Sequence, residues 1–495
     1  MPQIMPDETI LLNLPKGGDP PWALLYPNTY GVGMANLGYH YIYAALKSRG
    51  VGVERIFVDT ECKSLEEGRF LSEFPIVTAS VSYEPDYVAL LKMLHNSKVL
   101  LHWHRRALIN GPVVGVGGAV SYINPLLFSS MVDFVCLGDG EVVVDHLIAC
   151  LRSYMKHGNR RKLWEDLSAS KHVYVPPLHN ELVISKKANL GRKRGNLENL
   201  SASLGHSVWM TPKAAFGRTL LLELQRGCFR RCPYCVVPSN FGKARFRPVD
   251  ELISLLYKFK TYNNFNVGLV TPEAGDHPDL DRLLDAINDC GRRVSFASLR
   301  IDALSEKMLK TMAVGGKKSI TIAPETGSDS LRGSLKKHFT NETIIKKLAI
   351  AKDFGIRSVK MYFMIGLPGE NDDDVRSIAE LSKQVWELLK LKPVISISIF
   401  VPKPGTPFSN EPFVGISEGR RKLNILRGSL KGYGKVIKMR SVDLRGSLKE
   451  YTLSWYGLQE AEVLLDMIDD GDKDDLSCLA FSKEVVREQI FMLGF

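Results

Sequence analysis

Short apolar runs alternate with amphipathic helical patterns along most of this chain, in two series separated by an irregular stretch. The first series includes "WALLYPN" (22–28), "FPIVTASVSYE" (74–84) and "PVVGVGGAV" (112–120), with helical patterns such as "MANLGYHYIYAALKSRG" (34–50) among them. Strands that alternate with helices pair in parallel, because each helix returns the chain to the same edge of the sheet. We therefore predict a doubly wound parallel sheet for residues 20–155.

Ligands of such sheets bind beyond the carboxyl ends of the strands. Two glycine-containing segments fall at such ends, Gly117–Gly118 and Gly138–Asp139–Gly140. We expect these segments to border a ligand.

The second series begins with "RTLLLELQRGC" (218–228) and continues with five more strand patterns, each followed by a helical one. Six strand–helix units predict a partial (β/α)6 barrel of the TIM type over residues 216–410, with its chemistry at the carboxyl ends of the strands. Residues 156–215, with Pro pairs and charge clusters, are predicted to form a connector. Residues 411–495 are predicted to form a small, mainly helical C-terminal region, and the fold class is α/β.

The length of 495 residues favours two or three domains. No apolar run approaches the roughly 18 residues that span a bilayer, and the first residues lack a signal-peptide pattern. The expected location is therefore the cytoplasm, with no transmembrane segment.

The net charge of +11 is compatible with several kinds of partner. The basic residues are spread along the chain, apart from "KKANLGRKRG" (186–195) and the loop "RGCFRRCPYCVV" (226–237). A solvated basic linker, a nucleic-acid-binding arm and a surface for an acidic redox partner are all consistent with this pattern.

Three of the eight cysteines lie in that loop, spaced as Cys-x3-Cys-x2-Cys: Cys228, Cys232 and Cys235. Structural zinc is usually held by four ligands, and the loop contains no fourth Cys or His. A cubane of four irons and four sulfurs held by three thiolates leaves one iron open for an external ligand. The remaining cysteines are isolated, and we expect them to be inert thiols: Cys62, Cys136, Cys150, Cys290 and Cys478.

The loop resembles the signature of the radical S-adenosylmethionine (radical SAM) superfamily, and the resemblance extends over about residues 217–410. It implies that the three cysteines bind a [4Fe–4S] cluster whose open iron chelates S-adenosylmethionine (SAM). In this family the reduced cluster cleaves SAM to methionine and a 5′-deoxyadenosyl radical. Tyr234 takes the place of the aromatic residue that borders the adenine.

The same resemblance implies further contacts to SAM. Glu273 in "TPEAGDHP" corresponds to a glutamate that accepts hydrogen bonds from the ammonium of SAM, although Thr271 and Pro272 replace the family's two glycines. Ser298 and Arg300 correspond to residues that make polar contacts to the ribose and carboxylate of SAM. Glu325 corresponds to the carboxylate that faces the ribose, and Gly366 to the glycine turn under the adenine.

The N-terminal sheet resembles the domain of cobalamin-binding radical SAM proteins. Cobalamin domains of another kind carry a cobalt-ligating histidine after the first strand, whereas this chain has "NTYGVG" (28–33) there. Two interpretations remain: the domain holds cobalamin without a protein imidazole, or it is a sheet that binds no corrinoid.

The predicted function is a radical SAM enzyme, with cobalamin-dependent methyl transfer to an unactivated carbon as the main hypothesis. Alternatives are a cobalamin-independent oxidoreductase, mutase or coupling enzyme, a methylthiotransferase, and a non-catalytic iron–sulfur or RNA-binding module. The chemistry implies an electron donor such as ferredoxin or flavodoxin. A small molecule, a lipid, a peptide and a tRNA all remain candidate substrates.

Overall fold

The computed structural model describes residues 7–186, 189–296, 299–470 and 481–495. The chain forms two compact units. The first comprises Met1–Thr219 together with Thr452–Phe495, and the second comprises Leu220–Tyr451. These divisions differ from the boundaries expected after residues 215 and 410, because the last part of the chain packs into the first unit.

The first unit is built around a six-stranded sheet in the order β3-β2-β4-β5-β6-β7, beside a short antiparallel pair, β1 and β8. Strands β2 to β6 are parallel, and β7 is an antiparallel edge strand. The strands are β1 (Thr9–Ile10), β2 (Pro21–Tyr26), β3 (Gly52–Phe57), β4 (Ile76–Ser80), β5 (Val113–Gly117), β6 (Phe134–Cys136), β7 (Val173–Tyr174) and β8 (Trp209–Met210). The predicted doubly wound sheet is confirmed.

Helices connect these strands. They are α1 (Tyr30–Gly33), α2 (Leu37–Ser48), α3 (Asp86–Asn96), α4 (Trp103–Leu108), α5 (Ala119–Ile123), α6 (Val144–His157), α7 (Arg160–Ser168) and α8 (Pro176–Ile184). Strand β3 is buried at every position, as is typical of a parallel strand covered on both faces. Helix α2 begins where the Asn36 side chain accepts a hydrogen bond from the Tyr39 N–H, at 2.9 Å.

The segment expected to be a connector packs into the first unit. It supplies α7, α8 and the edge strand β7. Its Gly195 lies against Gly138, where an added Cβ would be 2.2 Å from the Gly195 carbonyl oxygen. This close approach of two backbones explains why residue 138 is a glycine with a φ of 104°.

The second unit contains two sheets, ordered β13-β12-β9 and β14-β15-β16-β17, and a hairpin of β10 and β11. Strands β14 to β17 are parallel. The strands are β9 (Thr219–Glu223), β10 (Gln225–Arg226), β11 (Arg245–Phe246), β12 (Asn266–Val270), β13 (Val294–Phe296), β14 (Ser319–Glu325), β15 (Ser358–Ile365), β16 (Lys392–Ile399) and β17 (Lys438–Met439). All six predicted barrel strands are present, and β17 extends the second sheet beyond the prediction.

The helices of this unit follow its strands in the manner of a TIM-type barrel. They are α9 (Val236–Asn240), α10 (Val249–Lys258), α11 (Leu280–Asp289), α12 (Glu306–Val314), α13 (Asp329–Ser334), α14 (Asn341–Asp353), α15 (Asp372–Leu389), α16 (Gly415–Ser429) and α17 (Leu444–Ser454). The predicted α/β class, with a partial barrel and a largely helical C-terminal region, is confirmed.

The chain then returns to the first unit with α18 (Leu458–Asp469) and α19 (Lys483–Leu493). Trp455 and Tyr456 are fully buried. The Asn124 side chain donates to the Tyr456 carbonyl oxygen at 2.7 Å. Among the described residues, no helix combines the length and apolar character needed to cross a bilayer.

Candidate active site at the cysteine loop

The cysteine loop follows strand β9 directly and is closed by the β10–β11 hairpin. In that hairpin Gln225 pairs with Phe246 and Arg226 with Arg245. Gly227 has a φ of 68°, and an added Cβ would lie 2.2 Å from the Lys243 carbonyl oxygen. Only glycine fits here, so the backbone at residue 227 sets the path by which the loop begins.

The three thiols of the loop are free, with Cys232 buried and Cys228 and Cys235 half-buried. Burial raises the pKa of Cys235 to about 11 and also raises that of Cys228. Such thiols stay protonated at neutral pH unless a cation replaces the proton. Within the described ranges, no three His, Cys, Asp or Glu side chains converge on a point suited to one metal ion. A cubane needs no such point, because each thiolate binds a different iron; the donor set therefore fits a [4Fe–4S] cluster.

Arg230 connects the loop to the ends of the next two strands. Its Nη2 and Nε lie 2.5 and 3.1 Å from the Asp276 carboxylate, which follows β12. Its Nη1 lies 3.8 Å from Asp302, which follows β13. Asp302 also accepts two hydrogen bonds from Arg300, at 3.0 and 2.9 Å. The arginine thus anchors the cysteine loop to the β12 end by charge-assisted hydrogen bonds and to the β13 end by a longer ion pair.

Glu273 lies at the end of β12 with only 2% of its surface exposed. Its two carboxylate oxygens accept hydrogen bonds from the backbone N–H of Gly275 (3.1 Å) and of Arg300 (2.7 Å). Burial raises the pKa of Glu273 to about 7, against the lowering effect of these two donors. Each oxygen keeps a further lone pair that can accept from a ligand ammonium.

Thr271, which stands where the family has a glycine, holds the turn that carries Glu273. The backbone N–H of Glu273 donates to the Thr271 hydroxyl oxygen at 3.2 Å, and that hydroxyl lies 3.1 Å from the Gln225 side-chain oxygen. The hydroxyl therefore ties the turn that carries Glu273 to the strand that enters the cysteine loop.

Tyr234 connects the loop to the end of β14. Its hydroxyl donates to Glu325 at 2.9 Å, and the Lys337 ammonium lies 2.5 Å from the same carboxylate oxygen. Burial, followed by the Glu325 charge, raises the pKa of Tyr234 well above its usual value. Glu325 has a φ of 68°, at the point where the register of β14 against β15 shifts.

The Tyr234 ring packs against an apolar cluster at these strand ends, consisting of Leu331, Leu335, Leu367 and Phe400. Leu367 follows Gly366, whose φ is 84° and whose added Cβ would lie 2.8 Å from Val414. The glycine turn predicted to lie under the adenine is therefore next to the ring predicted to border it.

The glycine turn is held by a buried ion pair that sequence reasoning missed. One Glu370 oxygen accepts from the backbone N–H of Gly366 (2.6 Å) and of Leu367 (3.0 Å). The other lies 3.0 Å from the Lys422 ammonium of α16. The sequence signal was a glutamate directly after a Pro-Gly turn, but its lysine partner lies 52 residues away.

The structure thus brings Cys228, Cys232, Cys235, Tyr234 and Glu325 to one loop and strand end, with Glu273 and Arg300 on the adjacent ends. Ser298 lies outside the described residues. Arg230 was expected from the sequence to offset the charge of the thiolates, but sequence reasoning missed its two carboxylate partners and the lysine beside Glu325: Asp276, Asp302 and Lys337. Acidic residues just past predicted strands were the signal that pointed to two of them.

In the first unit, the chain order reverses between β2 and β4, which is where ligands of doubly wound sheets bind. Polar side chains line this point. Asn28 donates to Asp86 at 2.9 Å, and Asn36 donates to Ser82 at 3.1 Å. Burial raises the pKa of Asp86 to about 6.

No imidazole follows β2 in the place of the cobalt-ligating histidine. His40, in the next helix, is fully buried, with one ring nitrogen 3.2 Å from the Met34 carbonyl oxygen and the other accepting from the Val208 N–H. At the β6 end, Asp139 accepts from the Tyr122 hydroxyl and from the Leu197 N–H. The Gly138–Asp139–Gly140 segment is therefore used in internal packing.

Comparison with known proteins adds a family assignment. The family model described as "Radical SAM superfamily" matches residues 222–382, and the one described as "Radical SAM proteins, N-terminal" matches residues 38–176. The uncharacterized protein MJ0966 of Methanocaldococcus jannaschii is 28% identical over 418 residues, covering 83% of this chain and 84% of that protein.

A tRNA-2-methylthio-N(6)-dimethylallyladenosine synthase of Fervidobacterium nodosum is 27% identical over 216 residues. These residues are 41% of this chain and 46% of that enzyme, so the chain matches about half the length of the tRNA enzyme.

Two solved structures share the fold. The radical SAM methyltransferase TsrM of Kitasatospora setae, solved with cobalamin and a [4Fe–4S] cluster, has a TM-score of 0.54 at 12% identity, over 95% of this chain and 98% of that one. The cobalamin-dependent radical SAM enzyme OxsB has a TM-score of 0.53 at 15% identity, and the match covers 92% of this chain and 62% of that one. The cysteine loop, at the carboxyl end of the first barrel strand, lies within the region that matches the radical SAM family model, so the chain is similar to the radical SAM superfamily over residues 222–382 and to the N-terminal part of radical SAM proteins over residues 38–176.

Proposed function

We propose that the protein uses a [4Fe–4S] cluster to cleave SAM and transfers a methyl group from cobalamin to an unactivated carbon of its substrate. One observation carries the radical chemistry. A single loop with three free thiols is tied through Arg230 and Tyr234 to the ends of three successive strands, where the candidate SAM contacts lie.

In this proposal Cys228, Cys232 and Cys235 are the cluster ligands. The reduced cluster would supply the single electron that splits a carbon–sulfur bond of SAM and so yields the radical that removes a hydrogen atom. The chain's own part is to hold the thiolates, to orient SAM and to exclude water. Arg230, 30% exposed and half-buried beside the loop, offsets part of the negative charge of the thiolates.

The SAM contacts are assigned by position. Glu273, oriented by two backbone donors, would accept from the SAM ammonium, while Arg300 and Ser298 would contact its polar groups. The Tyr234 ring and the Gly366 turn would enclose the adenine, since both meet at the apolar cluster. Glu325 would face the ribose.

Cobalamin is proposed for the first unit. The support is the doubly wound sheet, the polar point between β2 and β4, and a fold shared with two proteins whose structures contain cobalamin. The absence of a histidine after β2 means that the chain would hold the corrinoid without an imidazole on cobalt. A radical SAM reaction without cobalamin is the alternative.

Methylthio transfer is less well supported. It requires a second cluster held by three N-terminal cysteines, and the candidates here are Cys62, Cys136 and Cys150. Cys136 is the last residue of β6, whereas Cys150 lies in the middle of α6, and burial raises their pKa values to about 12 and about 11. A thiol in the middle of a helix does not belong to a loop that could hold a cluster.

The cluster assignment is tested with Cys232→Ala under oxygen-free conditions. We expect the variant to lose most of its iron, its thiolate-to-iron absorbance and the formation of 5′-deoxyadenosine. Cys290→Ala, at a half-buried thiol that caps α11, is the matched control and should keep all three. Retention of the cluster by Cys232→Ala would refute the assignment.

The cobalamin assignment is tested by reconstitution with hydroxocobalamin followed by gel filtration. One cobalt per chain and a corrinoid spectrum support methyl transfer, whereas a full cluster without cobalt leaves the cobalamin-independent reaction. Radical SAM enzymes need a reductant, and we propose ferredoxin or flavodoxin for this role.

A further inference from the structure

The basic residues of this chain are divided unevenly between the two units. Residues 220–451 contain 39 Lys and Arg against 25 Asp and Glu, a net charge of +14. The rest of the chain contains 26 against 29, a net charge of −3. The excess positive charge of the protein therefore belongs to the second unit.

Within that unit, the cations gather in the six loops that lead from a helix to the next strand of the barrel series or to β17. Taken with the last residue of the preceding helix and the first residue of the following strand, these loops are 258–266, 289–294, 314–319, 353–358, 389–392 and 429–438. They contain 12 Lys and Arg but only two acids, Asp289 and Asp353. We call the 12 cations the basic rim: Lys258, Lys260, Arg292, Arg293, Lys317, Lys318, Arg357, Lys390, Lys392, Lys431, Lys435 and Lys438.

A side-chain hydrogen bond and a close backbone approach join the first loops of the rim. The Arg292 guanidinium donates to the Lys260 carbonyl oxygen at 2.8 Å, which joins the loops before β12 and β13. A Cβ added at Gly315 would lie 3.5 Å from the Cα of Arg293. This close approach joins the loop before β13 to the loop before β14.

The remaining loops are joined by backbone contacts. The Arg357 N–H donates to the Lys318 carbonyl oxygen at 2.8 Å, and the Lys392 N–H donates to the Arg357 carbonyl oxygen at 3.0 Å. Lys438 pairs with Val394 in the register of β17 against β16. The rim is therefore one continuous surface, although its members are spread over 180 residues of sequence.

Most of the rim cations are available to a partner, while the guanidinium groups of Arg292 and Arg357 also donate to backbone carbonyl oxygens. Ten of them are exposed, and Arg292 and Lys317 are half-buried. Across the described residues, none forms a salt bridge with a carboxylate. Some basic side chains elsewhere in this unit are paired with carboxylates, such as Lys346 with Glu342 at 2.6 Å.

Helix dipoles explain only part of this pattern. A cation near a helix C-terminus is stabilised by the partial negative charge there, and most of these loops follow such a terminus. One cation for each helix end would satisfy that interaction, whereas the loops contain two on average with almost no acid. The surplus produces a positive potential that favours a polyanion.

Aromatic rings accompany the cations. Tyr257 is 42% exposed, with the Lys260 ammonium 5.6 Å from its ring centre. Trp386 lies beside the Lys390 ammonium at 5.5 Å. Cations that follow a backbone, with rings on which bases stack, are the features of a surface for single-stranded nucleic acid.

We propose that the basic rim binds a single-stranded nucleic acid through successive phosphates, with Tyr257 and Trp386 stacking on its bases. Neighbouring strands are about 4.8 Å apart, so the rim spans an arc of roughly 20 Å or more. A polynucleotide presents a charge at each residue along such an arc, whereas an acidic protein presents carboxylates at irregular intervals.

This surface lies at the amino ends of the strands, and the cysteine loop follows the carboxyl end of β9. Strands such as β12, with five residues, and β15, with eight, separate the two ends, a distance of roughly 17–26 Å. The rim therefore anchors a nucleic acid away from the reaction site, and the proposal does not depend on the identity of the reaction.

The test measures the anisotropy of a labelled oligouridylate of about 20 nucleotides with the full chain, over salt concentrations from about 50 to 200 mM. The triple variant Lys318→Gln, Lys392→Gln, Lys438→Gln removes three exposed cations of the rim. We expect about tenfold weaker binding at the lowest salt, and a slope of log affinity against log salt that is shallower by about 2.

The matched control is Lys162→Gln, Lys307→Gln, Lys346→Gln, which removes the same charge from lysines that are paired with carboxylates outside the rim. It should bind the oligonucleotide within about twofold of the unaltered chain. Circular dichroism and thermal melting of both triple variants check that the fold is retained.

Polyglutamate of matched charge, used as a competitor, tests for an acidic-protein surface instead. Tyr257→Ala should weaken oligonucleotide binding without changing polyglutamate binding, because only bases stack. Absence of binding at low salt, an equal loss in the control triple variant, or equal competition by polyglutamate with no effect of Tyr257→Ala would each overturn the proposal.

Discussion

At the scale of single residues, Glu273 shows how a buried carboxyl is positioned before any ligand binds. Both of its oxygens accept backbone N–H groups, and burial nonetheless raises its pKa to about 7. A carboxyl in this state gains its charge near neutral pH. A ligand ammonium beside it would favour the charged form and so lower the pKa again.

The raised pKa of Glu273 predicts a pH dependence of stability. Between about pH 4.5 and 7 the folded chain keeps a proton that the unfolded chain releases, so the free energy of unfolding falls as pH rises through this window, by up to about 3 kcal/mol. Glu273→Gln stays neutral and should lose this part of the dependence. Urea unfolding at about pH 5 and about pH 8 measures the difference.

The exposed carboxyl of Glu380 on α15 provides the control, and Glu380→Gln should retain the dependence seen in the unaltered chain. An unchanged dependence in Glu273→Gln would mean that another group is responsible.

At the scale of elements, the turn after β15 is fixed by helix α16. Glu370 holds two backbone N–H groups of the turn, and Lys422 supplies the charge that its buried carboxylate requires. Burial raises the pKa of Glu370 despite the lysine, which shows how little solvent reaches this pair. The helix therefore positions a turn to which it is not adjacent in sequence.

Removal of one partner of this ion pair should be more damaging than removal of both. Lys422→Met leaves an uncompensated buried carboxylate and should lower the free energy of unfolding by about 3–5 kcal/mol. The double variant Glu370→Gln, Lys422→Met should recover a substantial part of that loss. Chemical denaturation of the single and double variants forms a double-mutant cycle, and a double variant as unstable as Lys422→Met would contradict this account.

At the scale of the whole molecule, the first unit is made of two separate stretches of sequence. Trp455 is fully buried, with the Lys483 ammonium 5.0 Å and the Arg487 guanidinium 5.3 Å from its ring centre. The final segment is thus part of the core of the first unit.

We therefore expect Trp455→Ala to destabilise the first unit by about 3–5 kcal/mol, since truncation of a buried aromatic ring leaves a cavity. Val463→Ala, at a more exposed position on α18, should change stability by about 0.5 kcal/mol or less. Thermal unfolding followed by calorimetry compares the two variants. Equal unfolding temperatures of the two variants would contradict the conclusion that this segment is part of the core of the first unit.

Much of the architecture was predictable from local patterns. Strands of the first unit such as β3 are buried on both faces and so appear as apolar runs, and helices such as α15 begin at side chains that cap them, here Asn371. The spacing of Cys228, Cys232 and Cys235 was equally local, because one short loop contains all three. For these features, interactions between near neighbours in sequence decide the outcome.

The candidate site was predictable only in part. Glu273 and Arg300 follow strands and Glu325 ends one, so their position at the strand ends could be expected, but their partners could not. Arg230 meets Asp276 and Asp302 because parallel strands bring their carboxyl ends together, and that pairing depends on strand order. Patterns over a few neighbouring residues do not determine the order of the strands in a sheet.

The sequence by itself determined the alternation of strands and helices, the radical SAM loop and the overall positive charge. Only the tertiary structure decided that the last segment closes the first unit, that Glu370 meets Lys422, and that cations spread over 180 residues form one rim. The physical reason is the same in each case. Local patterns select the elements, whereas the packing of elements distant in sequence decides which charges and apolar faces meet.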